Sequence, residues 1–172
     1  CTFVKHPNGE YWLYYKSWNT HEYEHYTDPH IRGNRKYGLA IAKNLEGPYV
    51  KYEENPIIDY SDKGGNIQAE DGFFWYQGGK FNALLRDMGF FNHQYGLYLQ
   101  SEDGINWSAP KISYYNVAHY MDQPPKPKHL SKYGRFERPQ LLINDMGEPT
   151  HLFVTTQGGK YESSSPFIFK IT

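Results

Sequence analysis

Three glycine turns, Asn8-Gly9-Glu10, Gly78-Gly79-Lys80 and Met146-Gly147-Glu148, recur with Gly9, Gly79 and Gly147 lying 70 and 68 positions apart. Each stands between two runs rich in aromatic and branched residues, such as Tyr11-Trp12-Leu13-Tyr14-Tyr15, Phe81-Asn82-Ala83-Leu84-Leu85 and His151-Leu152-Phe153-Val154. Turn residues between two such runs read as a β-hairpin. A fixed period of this length marks a chain that repeats one supersecondary unit, and any fold proposed for it must accommodate the repetition.

In the first two units the hairpin is followed by a Tyr-Gly-Leu run, at Tyr37-Gly38-Leu39 and Tyr95-Gly96-Leu97. Next come Asn44-Leu45-Glu46-Gly47-Pro48-Tyr49 and Ser101-Glu102-Asp103-Gly104-Ile105-Asn106-Trp107, each read as a turn leading to a short edge strand. No window of a dozen residues sustains helical apolar spacing, and 16 Gly and 11 Pro interrupt the chain. The expectation is therefore an all-β chain in which each unit is a four-stranded antiparallel sheet, the blade of a β-propeller. Units are placed at about 1–60, 66–120 and 133–172, the last one shorter. A two-sheet sandwich is the alternative, but it has no need of a repeated blade opening. Three blades do not close a ring. The chain also begins in strand-like sequence, Cys1-Thr2-Phe3-Val4, without an initiator Met, so upstream sequence, including any signal peptide, is expected to be missing.

A formal net charge of -1 gives no electrostatic reason to expect nucleic acid or anionic lipid as partner, and favours a neutral or weakly charged ligand. Aromatics make up 18% of the residues, with 17 Tyr and 4 Trp, while mean hydropathy is -0.81. The apolar payload thus sits in rings, which fill strand cores and also stack on sugar faces. No run approaches the ~20 apolar residues of a membrane span. The single cysteine, Cys1, excludes an internal disulfide and a Cys-x-x-Cys metal site.

The repeat also carries acids. Glu70-Asp71-Gly72-Phe73-Phe74-Trp75 and Glu137-Arg138-Pro139-Gln140-Leu141-Leu142 share one layout, and Glu70 and Glu137 lie 67 positions apart. In a propeller, the starts of the innermost strands face one central channel, so repeated acids converge. A pair of carboxyls is what glycoside hydrolysis requires, one giving a proton to the leaving oxygen and the other acting as base or nucleophile. Of Glu70 and Asp71, one is expected to point into the channel while the other caps a turn. Strand alternation puts Arg135 and Glu137 on one face and turns Arg138 away.

Lys16 and Arg86 end equivalent strands, 70 positions apart, and are expected together at the channel mouth. Arg86 and Asp87 are candidates to bind substrate or to pair between blades, and Trp18 to stack on a sugar or pack in the core. His21, His25 and His30 lie in the polar stretch 19–36, read as a loop that shapes specificity; solvated histidines are favoured there over a metal site. The proline-rich stretch 122–128 reads as a connector into the third unit, and Asn106-Trp107-Ser108 matches a glycosylation acceptor that decides nothing by itself. No glycine-rich phosphate loop opens a helix, so no nucleotide cofactor is expected.

Several of these strings resemble the five-bladed β-propeller glycoside hydrolases: the arabinanases, β-xylosidases and arabinofuranosidases of glycoside hydrolase family 43 and the related fructosidase-like families. Gly9-Glu10-Tyr11-Trp12-Leu13-Tyr14-Tyr15 is similar to that group's blade hairpin, and Tyr37-Gly38-Leu39-Ala40-Ile41-Ala42-Lys43-Asn44-Leu45-Glu46-Gly47-Pro48-Tyr49 to its blade end. Glu70-Asp71-Gly72-Phe73-Phe74 resembles its Asp-Pro opening, with Gly72 in place of Pro, and Glu137-Arg138-Pro139 its Glu-Gly-Pro opening, with Arg138 in place of Gly. The resemblance implies Glu137 as general acid and Asp71 or Glu70 as second carboxylate; Arg86, Asp87, Lys16, Trp18 and Arg138 are the candidates to contact the substrate. It further implies a plant or algal polysaccharide as substrate, no organic cofactor, a channel able to hold a structural cation, and a secreted or periplasmic location. The first-blade base of family 43 has no counterpart, because its position would precede Cys1. The rival expectation is a non-catalytic carbohydrate-binding propeller.

Overall fold

A computed structural model describes residues 1–122, 135–157 and 164–172. These form three antiparallel sheets from consecutive stretches of chain. The first sheet contains β1 (Thr2–Lys5), β2 (Tyr11–Ser17), β3 (Lys36–Ala42) and β4 (Val50–Lys51) in that order. The second contains β5 (Gln68–Gln77), β6 (Lys80–Met88), β7 (Gly96–Ser101) and β8 (Lys111–Tyr114), also in chain order. The third contains β9 (Glu137–Ile143), β10 (Pro149–Gln157) and β11 (Ser164–Lys170). Each sheet is a meander, and their opening strands are neighbours, β1 lying against β5 and β5 against β9. This is the blade arrangement, open at both ends, and the two-sheet alternative does not hold.

The turn glycines close the hairpins as expected. Gly78 and Gly79 have φ of 60 and 79° between β5 and β6, the pair of left-handed residues that a two-residue hairpin matching the strand twist requires. The Tyr-Gly-Leu runs have a different reason. Gly38 lies opposite Tyr15 and Gly96 opposite Tyr114 in the strand registers, and each tyrosine ring covers its glycine. A Cβ on Gly96 would come within 2.1 Å of the Tyr114 ring.

The second sheet is packed on both faces, so β6 is buried at seven successive residues, 81–87, instead of alternating. One face, with Phe74, Phe81, Leu85 and Leu97, meets Trp12, Tyr14, Tyr37 and Leu39 of the first sheet. There the Tyr14 and Phe74 rings stack with centroids 4.2 Å apart, a geometry that adds about 0.5–1.5 kcal/mol to their burial. The opposite face, with Phe73, Trp75, Leu84 and Tyr114, meets Phe136, Leu152, Val154, Phe167 and Phe169.

Two short helices interrupt the sheets: α1 (Thr20–His25) and α2 (Val117–Tyr120). The first corrects the reading of 19–36 as loop throughout. Asn19 caps α1 by accepting from the Glu22 N–H at 3.2 Å, and this places His21 and His25 one turn apart with their rings stacked. The connector expected at 122–128 falls, beyond Asp122, outside the described residues. No described helix is long and apolar enough to cross a membrane.

Candidate functional site

The start of β5 does not continue as a regular strand. Glu70 pairs with Arg86 across the sheet, but the next register pair is Phe73 with Leu84, so β5 carries one extra residue. That residue's neighbour Asp71 is left-handed, with φ 52°. The start of β9 repeats the feature: Glu137 pairs with Thr155, Gln140 with Phe153, and Arg138 has φ 52°. Left-handed backbone costs a non-glycine residue on the order of 1–3 kcal/mol and clusters at functional sites. Two equivalent bulges, each directly after an acid, are a second level of the repeat seen in the turns.

The bulge corrects the expectation that Glu70 and Asp71 point apart. Both carboxylates reach the Lys16 Nζ, at 3.2 and 3.5 Å, because the left-handed residue cancels strand alternation. Arg86 completes the convergence. Its Nη1 lies 3.1 Å from Glu70, 3.9 Å from Asp71 and 3.2 Å from Glu137. Two distances to one nitrogen, 3.1 and 3.2 Å, cap the separation of those Glu70 and Glu137 oxygens at about 6.3 Å. Acids from two consecutive sheets thus meet on a guanidinium from the central one.

Two more arginines join the cluster. Arg35, at the end of the stretch before β3, places its Nε 2.9 Å from Glu70 and its Nη1 2.9 Å from the Gln68 Oε1, which ties that stretch to β5. Arg135 lies 3.3 Å from Glu137, on the same face as expected. The side chains of Arg86, Glu70 and Asp71 are 7, 10 and 11% exposed, whereas that of Glu137 is 34% exposed, so Glu137 is the carboxylate that a solute reaches. Behind the cluster are two phenols. Tyr37 accepts a hydrogen bond from the Gly72 N–H, and burial pushes its hydroxyl well above the usual tyrosine range. Tyr114 is pushed up further, by burial first and then by the charges of Asp71, Glu137 and Asp87, and its hydroxyl has no hydrogen-bond partner among the described residues.

The other sequence candidates separate. Asp87 is fully buried, and its two oxygens accept from the backbone N–H groups of Gly89, Phe90, Phe91, Asn92 and His93. It organises the β6–β7 loop, which leaves it no free acceptor for a substrate. Trp18 is exposed at the end of β2 and packs on Tyr23 of α1 at 5.4 Å, in a surface cleft shared with Tyr15 and Tyr52. Arg138 is exposed and makes no ion pair among the described residues; its left-handed backbone removes the alternation argument that turned it away from Glu137. Asn106 is tied to Asp103 through its side-chain amide at 2.7 Å. Among the described residues no group of three or more His, Cys, Asp and Glu is arranged to hold a metal. Sequence reasoning missed Arg35 and Tyr114, whose roles depend on sheet packing and leave no local signal.

No protein-family model matches the chain, and no curated protein matches it. Among solved structures, it is similar to Zg3597, a family 117 glycoside hydrolase produced by the marine bacterium Zobellia galactanivorans, with a TM-score of 0.56 and 14% identity. That match covers 96% of this chain and 39% of the other, so the chain spans about two fifths of that enzyme's length. A GH43 endo-arabinanase from Bacillus licheniformis aligns at a TM-score of 0.37 and 11% identity, over 97% of this chain and 71% of that one. The likeness at this identity establishes the fold, a set of propeller blades of the kind glycoside hydrolases use.

Proposed function

We propose that this chain carries the acid cluster of a glycoside hydrolase acting on plant or algal polysaccharide, with Glu137 as proton donor and Glu70 or Asp71 as the second carboxylate. The observation that carries the reading is the pair of matched bulges, which deliver acids from two consecutive blades to Arg86 while leaving Glu137 open to solvent. Packing alone does not call for a left-handed aspartate and a left-handed arginine at equivalent positions. The Glu70 and Glu137 oxygens that share Arg86 lie within about 6.3 Å of each other, which brings the two carboxyls close enough to act on one glycosidic bond. A fold does not fix its chemistry.

The rival reading, a binding propeller without turnover, draws support from the cations: every carboxylate of the cluster already has at least one partner. Glu137→Gln separates the two. The substitution keeps shape and hydrogen bonding but removes the proton, so hydrolysis of substrates with poor leaving groups is expected to fall by about 10²–10⁴-fold, and that of activated aryl glycosides by less. Turnover of both substrate types, with calorimetric affinity for the sugar alongside, checks this. Unchanged turnover removes Glu137 from the mechanism, and sugar binding by a parent without turnover establishes the rival.

A further inference from the structure

The net charge of the whole chain hides how charge is distributed at the cluster. Three carboxylates, Glu70, Asp71 and Glu137, face four cations, Lys16, Arg35, Arg86 and Arg135. Asp87, the other carboxylate nearby, has its oxygens taken up by loop N–H groups. The imbalance is larger where a solute would meet it. Lys16, Arg35 and Arg135 have side chains 32, 38 and 34% exposed, while of the three acids Glu137 alone is comparably open. The solvent-facing rim therefore presents three cations and one carboxylate.

Arg138, exposed and next in the chain after Glu137, adds a further cation. It occupies a strained backbone position that Asp or Asn would tolerate better, directly after the candidate proton donor, and no described carboxylate pairs with it. Arg86 adds a buried Nε without a hydrogen-bond partner among the described residues. We propose that the site takes an acidic saccharide, one with a carboxylate or sulfate on the sugar beside the scissile bond, and that Arg138, with Arg135, recognises that anionic group. A planar guanidinium pairs with two oxygens of a carboxylate or sulfate at once, which a neutral sugar hydroxyl does not offer. This rests on the saccharide reading above.

The test is calorimetric binding of three oligosaccharides of equal length, one neutral, one uronate-bearing and one sulfated, to the parent chain and to Arg138→Asn and Arg138→Lys. Asparagine keeps the left-handed backbone accessible and lysine keeps the charge, so folding and charge are controlled separately. The expected result is at least about tenfold tighter binding of an acidic sugar than of the neutral one. That preference should shrink at about 1 M salt, where charges are screened within ~3 Å, and should fall about tenfold in Arg138→Asn and less in Arg138→Lys. The better of the two acidic sugars identifies the anionic group. Equal affinity for neutral and acidic sugars, or a preference unchanged in Arg138→Asn, overturns the inference and leaves the saccharide reading intact; absence of binding to all three overturns both.

Discussion

Replacing Arg86 by Met removes the nitrogen on which the acids converge while keeping most of the buried stem. Orphaning a buried ion pair costs about 3–5 kcal/mol, but here each acid keeps a partner: Glu70 has Lys16 and Arg35, Asp71 has Lys16, and Glu137 has Arg135. The loss is therefore partial. To it is added the repulsion between Glu70 and Glu137, whose facing oxygens lie within about 6.3 Å. At an effective dielectric of 20 that repulsion is about 2.6 kcal/mol, and solvent at the one-third exposed Glu137 reduces it to about 1 kcal/mol. The expected total is about 2–3 kcal/mol. With an m-value of about 2 kcal/mol per molar urea, the midpoint should fall by about 1–1.5 M. Adding Glu70→Gln to Arg86→Met should return about 1 kcal/mol, although Glu70→Gln alone destabilises the parent. A midpoint for Arg86→Met within about 0.2 M of the parent, or additive effects in the double-mutant cycle, would refute the assignment of Arg86 as the hub.

Gly96→Ala should destabilise by about 1–3 kcal/mol in urea melts, because its Cβ meets the buried Tyr114 ring and not open space. Gly9→Ala, where nothing lies within 4 Å, tests left-handed backbone alone and is expected to cost about 1 kcal/mol. Asp87→Asn replaces an acceptor-only group with one that also donates, so the amides of Gly89, Phe90 and His93 should lose protection in hydrogen exchange while those of β2 do not. For Asp103, desolvation opposes ionisation, but bonds from Asn106, Ile105 and Ser101 outweigh it and hold the carboxyl well below its usual range. A depressed folded-state value means stability present above about pH 4 and lost as pH falls. Asp103→Asn should therefore lose less stability than the parent between about pH 5 and pH 3 in urea midpoints taken across that range.

The blades were legible because hairpin glycines and alternating aromatics are local signals, and so was the meeting of Glu70 with Glu137, which follows from their equal place in the repeat. The bulges were not. Asp71 before Gly72 is compatible with a left-handed residue, but Arg138 before Pro139 gives no such hint, and alternation carried through it turned Arg138 away from Glu137. Asp87 was misread for a related reason. A charged residue at a strand end looks available, yet five backbone N–H groups from the following loop fold back onto it, a closure that only three-dimensional contact reveals. Arg35 arrives across the sheets from a polar stretch whose sequence says nothing of its destination.

Glu70 and Asp71 ride on the second sheet and Glu137 on the third, and what joins those sheets beneath the acids is a layer of rings and aliphatic side chains: Phe73, Trp75 and Tyr114 against Phe136, Leu152 and Phe167. The gap between the acids is thus the setting of a caliper whose jaws are two blades and whose screw is a greasy seam. Trimming one ring in that seam, with no polar atom touched, would reset the distance between Glu137 and Glu70. Variation in the most ordinary-looking hydrophobic positions of this chain is then a route to altered chemistry, and an inventory of charged residues would miss it.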